Sequence, residues 1–404
     1  MEDQRSPLAR RDFLRGAAAG SAVALLGGLL PDALQAAPDL EKPATNLRDA
    51  TRHPRNENSM PGAFPGKVTE VYHDKVFRDG VPDQAIVSQM LQTALLGLLT
   101  PSSSRQTPAV SSSPPDELLE ALSRLCPPAA ITGIKVNPVA GKELSTTPEV
   151  VRALTDLLRQ AGIPLKNIVI WDRREFQLAE AGFTSEAFPG IRLTGTECQD
   201  EKGAYYGPDG KLLSEHRIDK SWYYWADVSE EYDEETLPYM VNSGKYSYFS
   251  RIVTKEVDKI INVPVLKNAG ASVTLALKNL AYGVITNTGR LHKQLWSETC
   301  AEVCAFPPVR DKVVLNIVDG LKGCFNGGPS ANPQFIRQFN LLLAATDPVA
   351  IDRIGYDIIL KRRIAEGIQK EESPRGRKFL ELASNLKLGI ADAAQINRIT
   401  THLT

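Results

Sequence analysis

The feature that most constrains the fold is a strand–helix–strand pattern within about 40 residues. ITGIKV (131–136) reads as a buried strand, and NIVIWD (167–172) as a second short apolar one. Between them, TTPEVVRALTDLLRQAG (146–162) reads as a helix with Thr147 as cap, Pro148 at the first turn and Gly162 as stop. Val150, Val151, Leu154, Leu157 and Leu158 recur at helical spacing. A hairpin cannot join strands so far apart, so the two should be parallel and joined by a crossover helix.

The pattern continues. DKIINVPVL (258–266), DKVVLNIVDG (311–320) and FNLLLAATD (339–347) read as strands. Residues about 82–99, SVTLALKNLAYG (272–283) and DPVAIDRIGYDIILKRR (347–363) read as helices, the last with Asp347 as cap and Pro348 at its first position. The expected fold class is α/β: a mainly parallel sheet with flanking helices and an aromatic-rich insertion. That insertion, 198–250, mixes aromatics with acids. Such a mixture lines a ligand cleft or, more often, forms a partly buried β-layer over a core.

The N-terminus sets the expected organisation. ARRDFLRG (9–16) precedes an Ala/Gly-rich apolar run, Pro31 and small residues at Ala36 and Ala37. This is the layout of an export signal, and the run is too short to span a membrane. Arg10, Arg11, Phe13, Leu14 and Arg15 resemble the twin-arginine pattern, with Ala9 where Ser or Thr is usual. The Tat translocon is then the expected partner and the periplasm, or another extracytoplasmic space, the destination. Residues 1–37 are read as that signal, 38–66 as a linker or arm, 67–362 as the α/β domain and 363–404 as a C-terminal helical segment. The Ser/Pro-rich stretch 101–116 is expected to be a mobile loop. Residues 1–36 carry four arginines and four acids, so the remainder keeps the formal charge of −1. That balance offers neither a nucleic-acid footprint nor a polybasic membrane patch, and no other apolar run reaches spanning length.

In open α/β sheets, ligands bind beyond the carboxyl ends of the strands. Lys135 and Asn137, Asp172 and Arg173, Lys267 and Asn268, Asp319, and Asp347 fall at such ends. Each alone has a structural explanation; their shared placement is the signal. Lys278 and Asn279 lie in an otherwise apolar helix, and a buried lysine is costly unless paired or used. Lys267 and Lys278 near a helix start suit an anion such as phosphate or carboxylate. Gly327 and Gly328, in CFNGGP, offer backbone for close approach, without the spacing of a nucleotide-binding glycine loop. The expected ligand is an anionic small molecule held by Lys135, Asn137, Asp172, Lys267, Lys278, Asn279, Gly327 and Gly328. Lys267, Lys278 and Asp319 are the candidate catalytic groups.

Five cysteines, Cys126, Cys198, Cys300, Cys304 and Cys324, leave at least one outside any intrachain pairing. Cys300 and Cys304 are four apart, with His292 eight residues before. Cys, Cys and His suit a metal ion or an iron–sulfur cluster; the rival readings are a Cys300–Cys304 disulfide, which an oxidising compartment favours, and unrelated free thiols.

Together GIKVN (133–137), IWDR (170–173), INVPVLKN (261–268), VTLALKNLAYGVI (273–285), VLNIVDG (314–320), NGGP (326–329) and ATDPVAID (345–352) resemble the bacterial domain-of-unknown-function family 362. PGKVTEVYH (65–73) is similar to its exported members. The resemblance implies no general activity. Some members carry ferredoxin-like modules, whose cysteine run is missing here, and many place a His after the VPxLK lysine, where this chain has Asn268 and Ala269. His292, Cys300 and Cys304 are similar to features of exported relatives. The export signal, strand-end residues and cysteines together lead to an exported protein that is either a metal- or cofactor-dependent enzyme, loaded before export, or a non-catalytic binding or accessory protein with a Cys300–Cys304 disulfide.

Overall fold

The strand–helix–strand unit forms as its periodicities require. In the computed structural model, β2 (Thr132–Lys135) and β3 (Ile168–Arg174) pair in parallel across the helix α3 (Pro148–Gln160). The model describes residues 42–100, 110, 113–197, 215–228, 245–269, 272–368 and 376–404. The export-signal residues, Cys198, residues 101–109, 111 and 112 of the Ser/Pro stretch, and most of the insertion lie outside the described residues. Pro43–Thr404 form one compact unit.

The remaining sheet strands are β1 (Lys67–His73), β4 (Arg192–Glu197), β7 (Lys259–Asn262), β8 (Val265–Ala269), β9 (Ser272–Thr274), β10 (Val313–Cys324), β11 (Ile336–Ala345) and β12 (Asn397–Leu403). Their order is β12-β1-β11-β10-β7-β2-β3-β4, with β8 pairing β9 and β10. From β10 to β4 every pair is parallel. At the other edge β11 runs antiparallel to both β10 and β1, so the sheet is mixed but largely parallel. Helices α1 (Gln84–Leu99), α2 (Asp116–Leu125) and α3 share a core with Ile134, Ile168 and Ile170. Helices α4 (Ala276–Val284), α5 (Trp296–Glu302), α6 (Pro348–Ala365) and α7 (Lys378–Asn385) belong to a core with Val169, Trp171 and Ile260. Alternate residues of one strand thus enter opposite cores, as the period of two demands. The five apolar residues foreseen on α3 are all buried, each worth about 1.5–3 kcal/mol over exposure.

Several boundaries move for physical reasons. The 258–266 segment is two strands, because Pro264 has no N–H for the ladder; its carbonyl instead accepts from Asp319 N at 2.8 Å. The 272–283 segment begins as strand β9, where Val273 and Thr274 suit extended backbone, before α4 starts at Ala276. Thr147 makes no side-chain cap; its N–H donates to Asp319 Oδ2 at 2.7 Å. Asp347 caps α6 as expected, accepting from Val349 N and Ala350 N. Past residue 363 the chain adds α7 but closes as a strand, β12, parallel to β1. Described parts of the aromatic insertion form an antiparallel pair, β5 (Ile218–Trp225) and β6 (Tyr246–Ser250). Arg290 anchors it, donating to Ala226 O, Lys245 O and Ser247 Oγ. Among the described residues no helix is long and apolar enough to cross a membrane.

Candidate functional site: a basic cavity at the strand ends

A cavity of about 200 Å³ opens at the carboxyl ends of β2 and β3, under α4. Lys135, Asn137, Asp172, Lys267, Lys278 and Asn279 all line it, with Arg173, Tyr282, Thr288 and His292. Gly327 and Gly328 do not, although the following Pro329 does. Gly328 lies against the Asn268 carbonyl, where a Cβ would collide, and its N–H donates to Asn268 Oδ1 at 3.3 Å. These glycines shape the wall.

The three lysines differ in how fully they are used. Lys135, wholly buried, pairs with Asp172 and donates to Val136 O at 2.7 Å and Asn279 Oδ1 at 3.3 Å. Its room comes from Gly283: a Cβ there would lie 2.8 Å from Lys135 Nζ and closer still to Cε. Lys267, also wholly buried, donates to Asn137 Oδ1, Val139 O and Leu144 O at 2.9, 2.9 and 3.3 Å. An ammonium has three protons, so both lysines have acceptors for all of them. Burial, then the charge of Lys278, lower the Lys267 pKa, while its three oxygens favour the charged form.

Lys278 is different. Among the described residues its one hydrogen bond goes to Thr274 Oγ1 at 3.4 Å, and no carboxylate pairs with it. The Tyr282 and Trp296 rings flank its Nζ at 5.6 and 5.8 Å from their centroids. Burial, with Arg173 adding a like charge, lowers its pKa to about 8.

Amides tie the wall together. Lys267 donates to Asn137, Asn137 Nδ2 to Asn279 Oδ1 (3.0 Å), and Asn279 Nδ2 to Asn262 Oδ1 (2.8 Å). Asn262 Nδ2 donates on to Asn316 Oδ1 (3.0 Å), and Asn316 Nδ2 to the Thr346 carbonyl (3.2 Å). The chain begins at a donor-only group and ends at an acceptor-only one, so every amide orientation follows. Register makes it possible, since Lys135 pairs with Asn262 and Asn262 with Asn316 across adjacent strands. Asn262 and Asn316 were not foreseen; the signal was there, a single amide closing the apolar runs IIN and VLN.

Asp319 does not line the cavity. It lies within β10, not at the strand's end, and its carboxylate accepts from Thr147 N and Leu321 N. That work is structural, and the catalytic expectation for Asp319 is withdrawn. His292 reaches the cavity with an exposed face, and its Nδ1 lies 3.0 and 3.3 Å from the Thr288 and Gly289 carbonyls. Carbonyls only accept, so Nδ1 carries the hydrogen and Nε2 the lone pair. Burial of the rest of the ring, then the positive charge of Lys278, hold this imidazole below the ordinary histidine value.

Cys300 and Cys304 are buried free thiols, so no disulfide joins them. Cys304 Sγ lies 3.6 Å from the Leu277 carbonyl on α4. Burial holds both thiols well above the usual cysteine range. His292, Cys300 and Cys304 do not converge: among the described residues no three His, Cys, Asp or Glu side chains are placed to hold one metal ion. These residues do not fit the metal or cluster anticipated for them.

A mixed α/β sheet with a lysine- and amide-lined cavity at its strand ends defines the class of fold. Residues 226–357, about a third of the chain, match the family model described as "Domain of unknown function (DUF362)". The segment contributes Lys267, Lys278, Asn279 and His292 to the cavity, whereas Lys135, Asn137 and Asp172 precede it. A crystal structure of a Thermotoga maritima protein, a structural-genomics target, is similar at 8% identity over 63% of this chain, with a TM-score of 0.35. This chain spans 59% of the length of that one. No curated protein matches.

Proposed function

We propose that the cavity binds a small anionic molecule, carboxylate or phosphate, through Lys278 and Arg173, and that the protein is an enzyme acting on it. The observation that carries this reading is the Lys278 ammonium: 7% exposed, lining a cavity, and, among the described residues, with one long hydrogen bond and no carboxylate. Leaving a buried cation this poorly paired is costly, and an arriving anion removes that cost. Arg173, held toward Thr288, adds a planar donor fork suited to carboxylate or phosphate. Lys135 and Lys267 set the wall's shape and its positive field.

Calorimetric titration with inorganic phosphate and with pyruvate tests the proposal. Saturable binding, weakened about tenfold or more in Lys278→Met, is expected; binding that is absent, or indifferent to Lys278, refutes it. A non-catalytic binding protein would show the same affinity with no turnover. The metal-dependent version would need ligands other than His292, Cys300 and Cys304 acting as one set; elemental analysis of purified protein tests it. We also propose export through the Tat route on the strength of residues 10–15. Arg10→Lys with Arg11→Lys should retain the protein in the cytoplasm, and unchanged export would refute the assignment.

A further inference from the structure

We propose that Lys278 is a covalent catalyst that forms an imine with the carbonyl group of a small oxo acid whose carboxylate sits on Arg173. The inference rests on the anion-binding reading and names its substrate class.

The argument is differential. Three lysines line one cavity, and a nucleophilic amine needs a lone pair. Lys135 and Lys267 each direct three protons at three acceptors. Losing a proton would set a lone pair against an oxygen, and turning toward a ligand would leave buried oxygens unpaired. Among the described residues, Lys278 would give up a single 3.4 Å bond to Thr274. Burial and the like charge of Arg173 favour its neutral form, while the Cys300 thiol opposes them. Tyr282 on its own helix, and Trp296 and Cys300 on α5, surround it with low-polarity groups. Arg173 on β3, Lys267 on β8 and His292 add positive or neutral groups, and the carboxylate of the same wall, Asp172 on β3, is paired with Lys135. A desolvated lysine beside other cations is the setting that makes an amine nucleophilic near neutral pH.

The step balances within the site. The Nζ lone pair forms the N–C bond, and the carbonyl π pair moves to oxygen. That oxygen takes up the two hydrogens lost from nitrogen and leaves as water as the C=N bond closes. His292 lines the same cavity with Nε2 unprotonated and would carry the proton between nitrogen and oxygen. No oxidant or reductant is required. A cavity of about 200 Å³ admits a molecule of a few carbons.

Pyruvate with sodium borohydride is the test, since hydride converts an imine into a stable secondary amine. Peptide mapping of full-length protein should find the adduct on Lys278, suppressed by excess phosphate and absent from Lys278→Arg, which keeps the charge but supplies no amine nucleophile. Because mapping uses the wild type, misfolding of a variant cannot mask the result. Saturable pyruvate binding with Lys278 unlabelled would overturn the imine and leave anion binding standing. Labelling scattered over surface lysines, with none at Lys278, would also overturn it. If neither pyruvate nor phosphate binds, both proposals fall.

Discussion

Gly283→Ala gives the sharpest test of how the cavity wall is built. At an ordinary helix position this change stabilises by about 1 kcal/mol. Gly283 lies in α4 with no left-handed φ, so backbone strain does not enter. The new Cβ would stand 2.8 Å from Lys135 Nζ, against about 3.5–4.0 Å for an unstrained contact between carbons. Lys135 cannot retreat, because it is wholly buried and committed to Asp172, Val136 and Asn279. Overpacking of this kind costs about 1–3 kcal/mol, and losing one charged hydrogen bond about 1.5–3 more. After the helix-propensity gain, the net is a loss of about 1.5–5 kcal/mol. Urea titration of wild type and variant, with equal slopes, reads it directly. The sign decides: a midpoint unchanged or raised in Gly283→Ala would refute the claim that this glycine exists to seat Lys135.

Other expectations follow from the same contacts. Lys278 is lowered to about 8 from 10.5, so between those pH values the unfolded chain binds more protons and stability should rise with pH. The full effect is about 3 kcal/mol; Lys278→Met should be more stable near neutrality and lose that slope, and parallel pH–stability curves would sink the assignment. Asn279→Leu strands Asn137 Nδ2 and Asn262 Oδ1 and should cost about 2–5 kcal/mol in chemical denaturation, whereas a neutral result would mean the amide chain is not coupled. Arg398→Ala removes a two-bond clamp, at 2.6 and 2.7 Å, on the fully buried Glu70. With Arg398 partly exposed the cost should be about 2 kcal/mol, seen as faster hydrogen exchange along β12; unchanged protection would refute the clamp. Cys126, Cys300 and Cys304 are free and buried, so a thiol reagent should reach them only after unfolding, without reductant; a reductant requirement for Cys300 and Cys304 would contradict their free state.

Much of the cavity was legible residue by residue. Lys135, Asn137, Asp172, Lys267, Lys278 and Asn279 stood out because a polar group closing an apolar strand, or interrupting an apolar helix, has to be explained. The same logic misled for Asp319, since a strand that continues past its aspartate looks, in one dimension, like a strand that ends there. It also left Cys300 and Cys304 undecided, because helical spacing gives proximity but not the direction of the sulfur atoms.

By itself, then, the sequence determined the parallel βαβ core, through hydrophobic period and the Pro148 helix start, and it pointed to most of the polar residues that line the cavity. Local patterns suffice there because strand and helix periodicities are properties of neighbouring residues. The tertiary structure alone decided which lysine is left with a proton to spare. That follows from the register that sets Lys135 beside Asn262 and Asn262 beside Asn316, and from the gap at Gly283. Three chemically identical side chains differ in how many acceptors the fold brings within reach of each, and for Lys267 all three of those acceptors lie more than a hundred positions away.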